Sequence, residues 1–230
     1  NNKERYCLWL VNCTPNILRK LPMVLERVQM CREKRLRSKD AGARKLAQIP
    51  TLFRETMNPE NYLLIPAVSS GRRTYIPMDF MNKDYIPVMG TMFIEDATLY
   101  HFGILESIVH MAWMRATCGY YGPSYRYSKD IVYNNFIWPN PTPTQKETIE
   151  QAAQAVLDAR KLYPDSTLAD LYDPNTMPPE LTRAHDKLDK AVKAAYGNKG
   201  FETEEEIVAS LMKMYKEAID KEKNIKQKIS

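Results

Sequence analysis

Up to about residue 120 the apolar positions come mostly in short runs, and after residue 140 they recur at three- and four-residue intervals. Residues 6–11 (YCLWLV) are aromatic and branched, which predicts a buried strand. Thr14 followed by Pro15 marks a helix start, a hydroxyl cap and then a residue that needs no amide partner. A helix is predicted over 16–37, with Leu18, Leu21, Leu25 and Val28 on one face and a bend at Pro22. A short helix follows over 41–47. Residues 62–67 (YLLIPA) and 73–78 (RTYIPM) read as two strands of a hairpin turning through Val68-Ser69-Ser70-Gly71-Arg72. A loop over 82–90 leads to a strand over 91–94. Residues 98–115 then look helical, with Leu105, Ile108, Val109, Ala112 and Trp113 on the core side.

Past Pro139, Pro141 and Pro143 the period becomes helical throughout. Helices are expected over 144–163 and 179–196, with a short turn over 167–171 between them and Gly197 as a stop. Thr203 and Glu206 form a capping box that opens a last helix, whose charged end, 221–230, is expected to fray. The pattern therefore predicts an α+β chain in two domains. Residues 1–140 carry a mixed β-sheet with helices, and residues 141–230 form a small C-terminal helical bundle.

Charge adds an asymmetry. Residues 145–230 hold 14 Lys or Arg against 16 Asp or Glu, whereas residues 1–144 hold 19 against 12. The basic excess of the first part is the footprint expected of a nucleic-acid binder. It concentrates in Arg27, Arg32, Lys34, Arg35, Arg37, Lys39, Arg44 and Lys45, which read either as a solvated helix face or as a phosphate-tracking surface. Cys7, Cys13, Cys31 and Cys118 lack paired metal-ligand spacing and read as reduced packing residues, so no metal site is expected. No apolar run is long enough to span a bilayer, and the opening residues resemble no signal peptide; a cytoplasmic protein without membrane partners is expected. The start, Asn1-Asn2-Lys3-Glu4-Arg5 running straight into apolar sequence, reads as a piece of a longer protein.

The densest chemistry lies in residues 124–139, SYRYSKDIVYNNFIWP. Tyr125, Tyr127 and Tyr133 present flat faces with polar tips, Arg126 and Lys129 carry positive charge, and Asn134 and Asn135 pair donors with acceptors. Such groups hold phosphates and read base edges. The same tyrosines and Phe136 could equally plug a sheet edge. Taken alone, the residues leave both readings open.

The run 127–139 resembles the end of the target-recognition domain of MmeI-like, adenine-specific DNA methyltransferases of bacterial restriction–modification systems. Other similar pieces lie in order along the chain. They are Leu64-Ile65-Pro66 with Ser69-Ser70, Arg73 with Tyr75-Ile76-Pro77, Ala97-Thr98-Leu99-Tyr100 with Phe102-Gly103-Ile104-Leu105, Val109 to Arg115, and Leu168 to Pro174. The resemblance implies a module that reads double-stranded DNA, followed by a supporting helical domain. It further implies a methyltransferase domain and S-adenosylmethionine site upstream of Asn1. Base-reading candidates are then Arg126, Ser124 and Gly122 on the approach to the central stretch, with Gly90 and Met89 in the preceding loop. Relatives often carry charged residues where this chain has Gly122 and Ser124. Phosphate-contact candidates are Ser69, Ser70, Arg72, Arg73, Arg35, Arg37, Lys39, Arg44, Lys45, Tyr127, Ser128 and Lys129. His110 reads as a hydrogen-bonded structural histidine.

No catalytic residues are expected within the chain itself, nor any cofactor. Adenine methyltransferases carry Asp, Asn or Ser before Pro-Pro and an aromatic residue. Here the single Pro-Pro, Pro178-Pro179, sits between Met177 and Glu180. No glycine-rich turn follows a strand, and no Asp-x-Lys or Glu-x-Lys offers a magnesium-nuclease signature. Two other classes compete with the DNA reader. One is a protein-interaction scaffold; the other is a single-stranded nucleic-acid binder that stacks bases on its tyrosines.

Overall fold

Prolines and side-chain caps start most helices close to where the sequence pattern puts them. The computed structural model describes residues 5–197 and 201–229, and it divides into two units, Asn1–Asn58 and Pro59–Ser230.

In the first unit the predicted strand over 6–11 is not formed. Those residues form neither strand nor helix, and Tyr6 is 89% exposed. The predicted helix over 16–37 is two helices, α1 (Pro15–Leu18) and α2 (Pro22–Leu36). Pro22 has no N–H for the carbonyl four residues back, so it opens a new helix instead of bending the old one. Thr14 caps α1 by accepting from the Ile17 amide. Val24, Val28, Cys31 and Arg35 form the half-buried stripe of α2. Helix α3 (Ala41–Leu46) is capped by the Asp40 carboxylate, which accepts from Gly42 N and pairs with Arg54.

The second unit holds two three-stranded sheets, each wholly antiparallel, where one mixed sheet was expected. In the first, β1 (Asn61–Pro66) lies between β3 (Asp79–Asn82) and β4 (Thr91–Glu95). In the second, β6 (Ser124–Arg126) lies between β2 (Val68–Ser70) and β5 (Gly119–Tyr121). Only Ala67 separates β1 from β2, so the chain steps from one sheet to the other there. The predicted hairpin between 62–67 and 73–78 is absent. Side chains and helices take up the backbone of 73–78 instead. Met78 N donates to Glu106 Oε1 (2.6 Å), Ile76 N to Met111 Sδ (3.4 Å), and Thr74 O accepts from Arg115 (3.0 Å).

The predicted helix over 98–115 divides into α4 (Leu99–Leu105) and α5 (Ile108–Thr117), where Ser107 caps α5 and Glu106 turns into the core. A π-helical turn, Lys129–Tyr133, follows β6. Then come α6 (Pro143–Lys161), α7 (Leu168–Leu171), α8 (Pro179–Ala195) and α9 (Glu204–Ile229). The capping box at α9 is present, with Thr203 Oγ accepting from Glu206 N and Glu206 Oε2 accepting from Thr203 N. Helix α9 continues through the stretch expected to fray, as far as Ile229; Ser230 lies outside the described residues.

α6 packs on both α8 and α4, and α9 packs on α5, so the C-terminal helices lie against the helices that precede residue 140 within the second unit. At Gly103 of α4 a Cβ would lie 2.8 Å from Ile149 and 3.2 Å from Ala153 of α6, which makes glycine the condition for that close approach.

A buried polar network ties the layers together. Arg160 of α6 is 8% exposed and Glu106 wholly buried. The guanidinium donates to Met78 O (2.7 Å), Glu106 Oε1 (3.1 Å) and the Tyr172 hydroxyl (3.0 Å), and it lies over the rings of Phe102 and Tyr172. Because Tyr172 oxygen is already accepting from Arg160, its own proton goes to His185 Nε2 at 2.8 Å. Tyr75 stacks on His185 and donates to Asp189, whose other oxygen accepts from Ile108 N.

Two outcomes follow. Arg160→Leu should cost about 3–5 kcal/mol in urea unfolding, because it leaves Glu106 buried without a countercharge. Adding Glu106→Leu should recover most of that loss. The pH dependence is also specified. Burial raises Glu106 to about 7 and Asp189 to about 6, so their contribution is complete below about pH 4 and is lost as pH rises through those values. Burial lowers His110 and His185 to about 3, so theirs is complete above about pH 6.5 and is lost as pH falls toward 3. The two contributions oppose each other between about pH 4.5 and 6. Below about pH 4 the two histidines alone should lower stability by about 2.7 kcal/mol per pH unit, two protons' worth, and the lowered carboxyls of Asp40, Asp158, Asp170 and Glu180 add to the fall. His110→Gln should remove half of the histidine share.

Candidate nucleic-acid interface

Ala67 links the two stretches that carry the base-reading candidates. Its N–H donates to Gly90 O (3.0 Å) at the end of the 83–90 loop, and its C=O accepts from Tyr127 N (2.9 Å) just past β6. Segments separated by nearly forty residues thus share one rim of the second unit.

β5 and β6 form a hairpin with Gly119 opposite Arg126 and Tyr121 opposite Ser124, turning through Gly122-Pro123. Gly122 has φ 57° and Gly90 φ 94°, the left-handed region that glycine occupies without steric cost. The hairpin tip is braced from β2. Gly71 N donates to Pro123 O (3.1 Å), and a Cβ on Gly71 would come within 2.4 Å of that oxygen. Strand alternation turns Tyr125 inward and Arg126 outward into solvent. Met89 is fully exposed and Tyr121 is 75% exposed. The outward Tyr120 and Tyr121 are not among the candidates drawn from the sequence. The signal was available, since two short aromatic runs flanking Gly-Pro read as a hairpin.

The phosphate-contact candidates separate by what their polar atoms already hold. Ser70 is half-buried and accepts from Arg72 N (3.3 Å), while Arg72 is exposed and 3.8 Å from Asp173. Ser128 caps the π-helical turn, and Lys129 is exposed beside Asp130. Arg37, Lys39 and Lys45 are exposed in the first unit.

Four others are corrected. Tyr127 is 3% exposed, and its hydroxyl is paired with His110 Nε2 at 2.9 Å. Ser69, also 3% exposed, accepts from Arg73 Nη1 (3.2 Å), and Arg73 Nη2 donates to Ala169 O. Arg35 clamps the carbonyls of Leu46, Ile49 and Leu52, the last at 2.7 Å. In each of these an intramolecular acceptor or donor claims the group that would meet a phosphate. Arg44 is exposed, and its Nη1 bonds the carbonyls of Ser38 and Lys39. Tyr125 and Phe136 plug the core, and His110 is the structural histidine expected.

Among the described residues no cluster of His, Cys, Asp or Glu could hold a metal ion, and no helix is long and apolar enough to cross a membrane.

The chain is similar to known proteins along nearly its whole length. Residues 1–140 match the family described as MmeI, target recognition domain, and residues 141–221 that described as MmeI, C-terminal domain. Over 222 residues the chain is 40% identical to DNA methyltransferase A of Bacillus subtilis (strain 168), covering 96% of this chain and 25% of that protein. It also matches the structure of a type IIL restriction–modification enzyme, MmeI, in complex with DNA. The TM-score is 0.91 at 42% identity, over 96% of this chain and 30% of that one. The chain therefore spans about a quarter of the curated relative's length.

Tyr127→Phe should lower stability by about 1–3 kcal/mol in urea unfolding, since His110 Nε2 loses its partner inside the core. The same variant should leave affinity for duplex DNA unchanged. A loss of affinity without a loss of stability would restore Tyr127 to the phosphate-contact set.

Proposed function

We propose, from the premise that this chain belongs to the MmeI family over its target recognition domain, that it reads the sequence of double-stranded DNA for a restriction–modification DNA methyltransferase. One observation carries the reading: the Gly90 loop and the Arg126 strand meet across Ala67 on one rim, with Arg126 and Met89 turned to solvent. A guanidinium held on a braced strand can make paired bonds to the major-groove edge of guanine. Ser124 and Met89, with the backbone at Gly122 and Gly90, would contact neighbouring base pairs. Ser70, Arg72, Ser128 and Lys129 would hold phosphates beside that rim, and Arg37, Lys39 and Lys45 of the first unit would add contacts that set affinity without reading sequence.

The rest of the reading concerns the parent polypeptide. Methyl transfer to adenine from S-adenosylmethionine would occur in a methyltransferase domain outside these 230 residues, in a bacterial cytoplasm. This chain would contribute the choice of site and no reacting group. The absence of a Pro-Pro-aromatic motif and of a glycine-rich turn in its sequence supports that division. The exposed Tyr120 and Tyr121 are the feature that a single-strand binder would share.

Selection from a random duplex pool tests the proposal. One enriched sequence is expected, held over random duplex by a factor that single strands do not match. Arg126→Ala should erase discrimination at one base pair, roughly 5- to 150-fold. Arg72→Ala or Lys129→Ala should weaken all duplexes alike and reduce the salt slope by about one. Enrichment of nothing, or preference for single strands, would overturn the reading in favour of the scaffold or the single-strand binder.

A further inference from the structure

Residues 1–58 form a unit with almost no core. Among its described residues Ala47 is the one buried hydrophobic, and α1, α2 and α3 bury none of their own. On α2 alone, Met23 is 78% exposed, Met30 61% and Leu36 55%. A segment of this size that leaves its apolar surface in water has too little burial to offset its chain entropy. Residues 5–10, α2 and the 50–53 segment also enclose a groove of about 460 Å³, lined by Leu8, Leu10, Val28, Cys31, Leu52 and Phe53. Arg27 stands among its lining residues, while Arg35 is already spent on carbonyls.

We infer that this groove is the seat of another segment of the same polypeptide, lying outside these 230 residues. This rests on the reading of the chain as one part of a longer methyltransferase. Three observations select that occupant. The unit needs a permanent apolar cover, which a transient partner does not supply. The curated relative carries three-quarters of its length outside the matched region. The unit itself holds 13 Lys or Arg against 5 Asp or Glu, so a second copy would bring like charge to the same face. The occupant is an apolar segment bearing carboxylates, one of them opposite Arg27. DNA, which is anionic and polar along its backbone, fits the basic side chains but leaves the groove uncovered.

Thiol labelling without DNA tests this, because Cys31 and Cys7 both line the groove and are free thiols. With peptide mapping, maleimide should modify both at least about tenfold more slowly in the full-length polypeptide than in the 230-residue chain. Leu8→Asp with Phe53→Asp in the full-length protein should restore the fast rate while amide exchange in α8 stays unchanged. Equal rates in the two chains would overturn the proposal. Protection that grows with concentration in the 230-residue chain would assign the groove to a second copy and overturn it as well. Since no DNA is present, the result is independent of duplex selection, whose failure would leave the labelling outcome intact.

Discussion

Burying Arg160 is the constraint on which the second unit depends. A guanidinium taken out of water must have its donors met and its charge answered. Three separate stretches of chain supply what it needs: Met78 O, Glu106 with the ring of Phe102 at the end of α4, and Tyr172 after α7. Because the partners come from so many elements, the network sets their relative positions more sharply than apolar packing would. The same carboxylate oxygen accepts from Met78 N and so holds the 73–78 segment against the helices instead of in a ladder.

That placement has consequences at the candidate interface. With 73–78 taken by helices, β2 pairs with β6 instead, and the 71–72 turn braces the hairpin tip through Pro123. Ala67 is left as the single residue between two sheets, bonded on one side to each candidate stretch. A rim built this way is held by backbone bonds from several strands. Its outward side chains are then free to differ between relatives without disturbing the frame. Rigid support beneath variable side chains is what a sequence-reading surface requires.

Basic and aromatic residues divide into two populations that composition alone does not separate. Arg35, Arg73 and Arg160 satisfy carbonyls or carboxylates of the fold itself, while Arg126, Arg72, Arg37, Arg44, Lys39, Lys45 and Lys129 face solvent. Tyr75, Tyr127 and Tyr172 spend their hydroxyls on Asp189, His110 and His185, whereas Tyr120 and Tyr121 stand exposed. Arginine is prone to this double use because its planar fork bonds backbone carbonyls as readily as phosphates.

The linear pattern by itself determined most of the helices, the α+β class and the loop before β4, since caps, prolines and three- to four-residue stripes act over a single turn of chain; the family came from the resemblance of its ordered sequence pieces. It placed Thr14, Thr203 and Gly197 correctly because each acts on backbone within four residues of itself. It did not determine strand partners. The 62–67 and 73–78 runs have the composition of a hairpin, yet their partners are β3, β4 and helices, which are distant in sequence. Nor did it separate Arg126 from Arg73, or Tyr121 from Tyr127. Exposure depends on which groups other segments bring within bonding distance, and only the folded chain decides that. Local hydrogen bonds leave their signature in neighbouring residues; a buried ion pair between α6 and the α4–α5 junction leaves none.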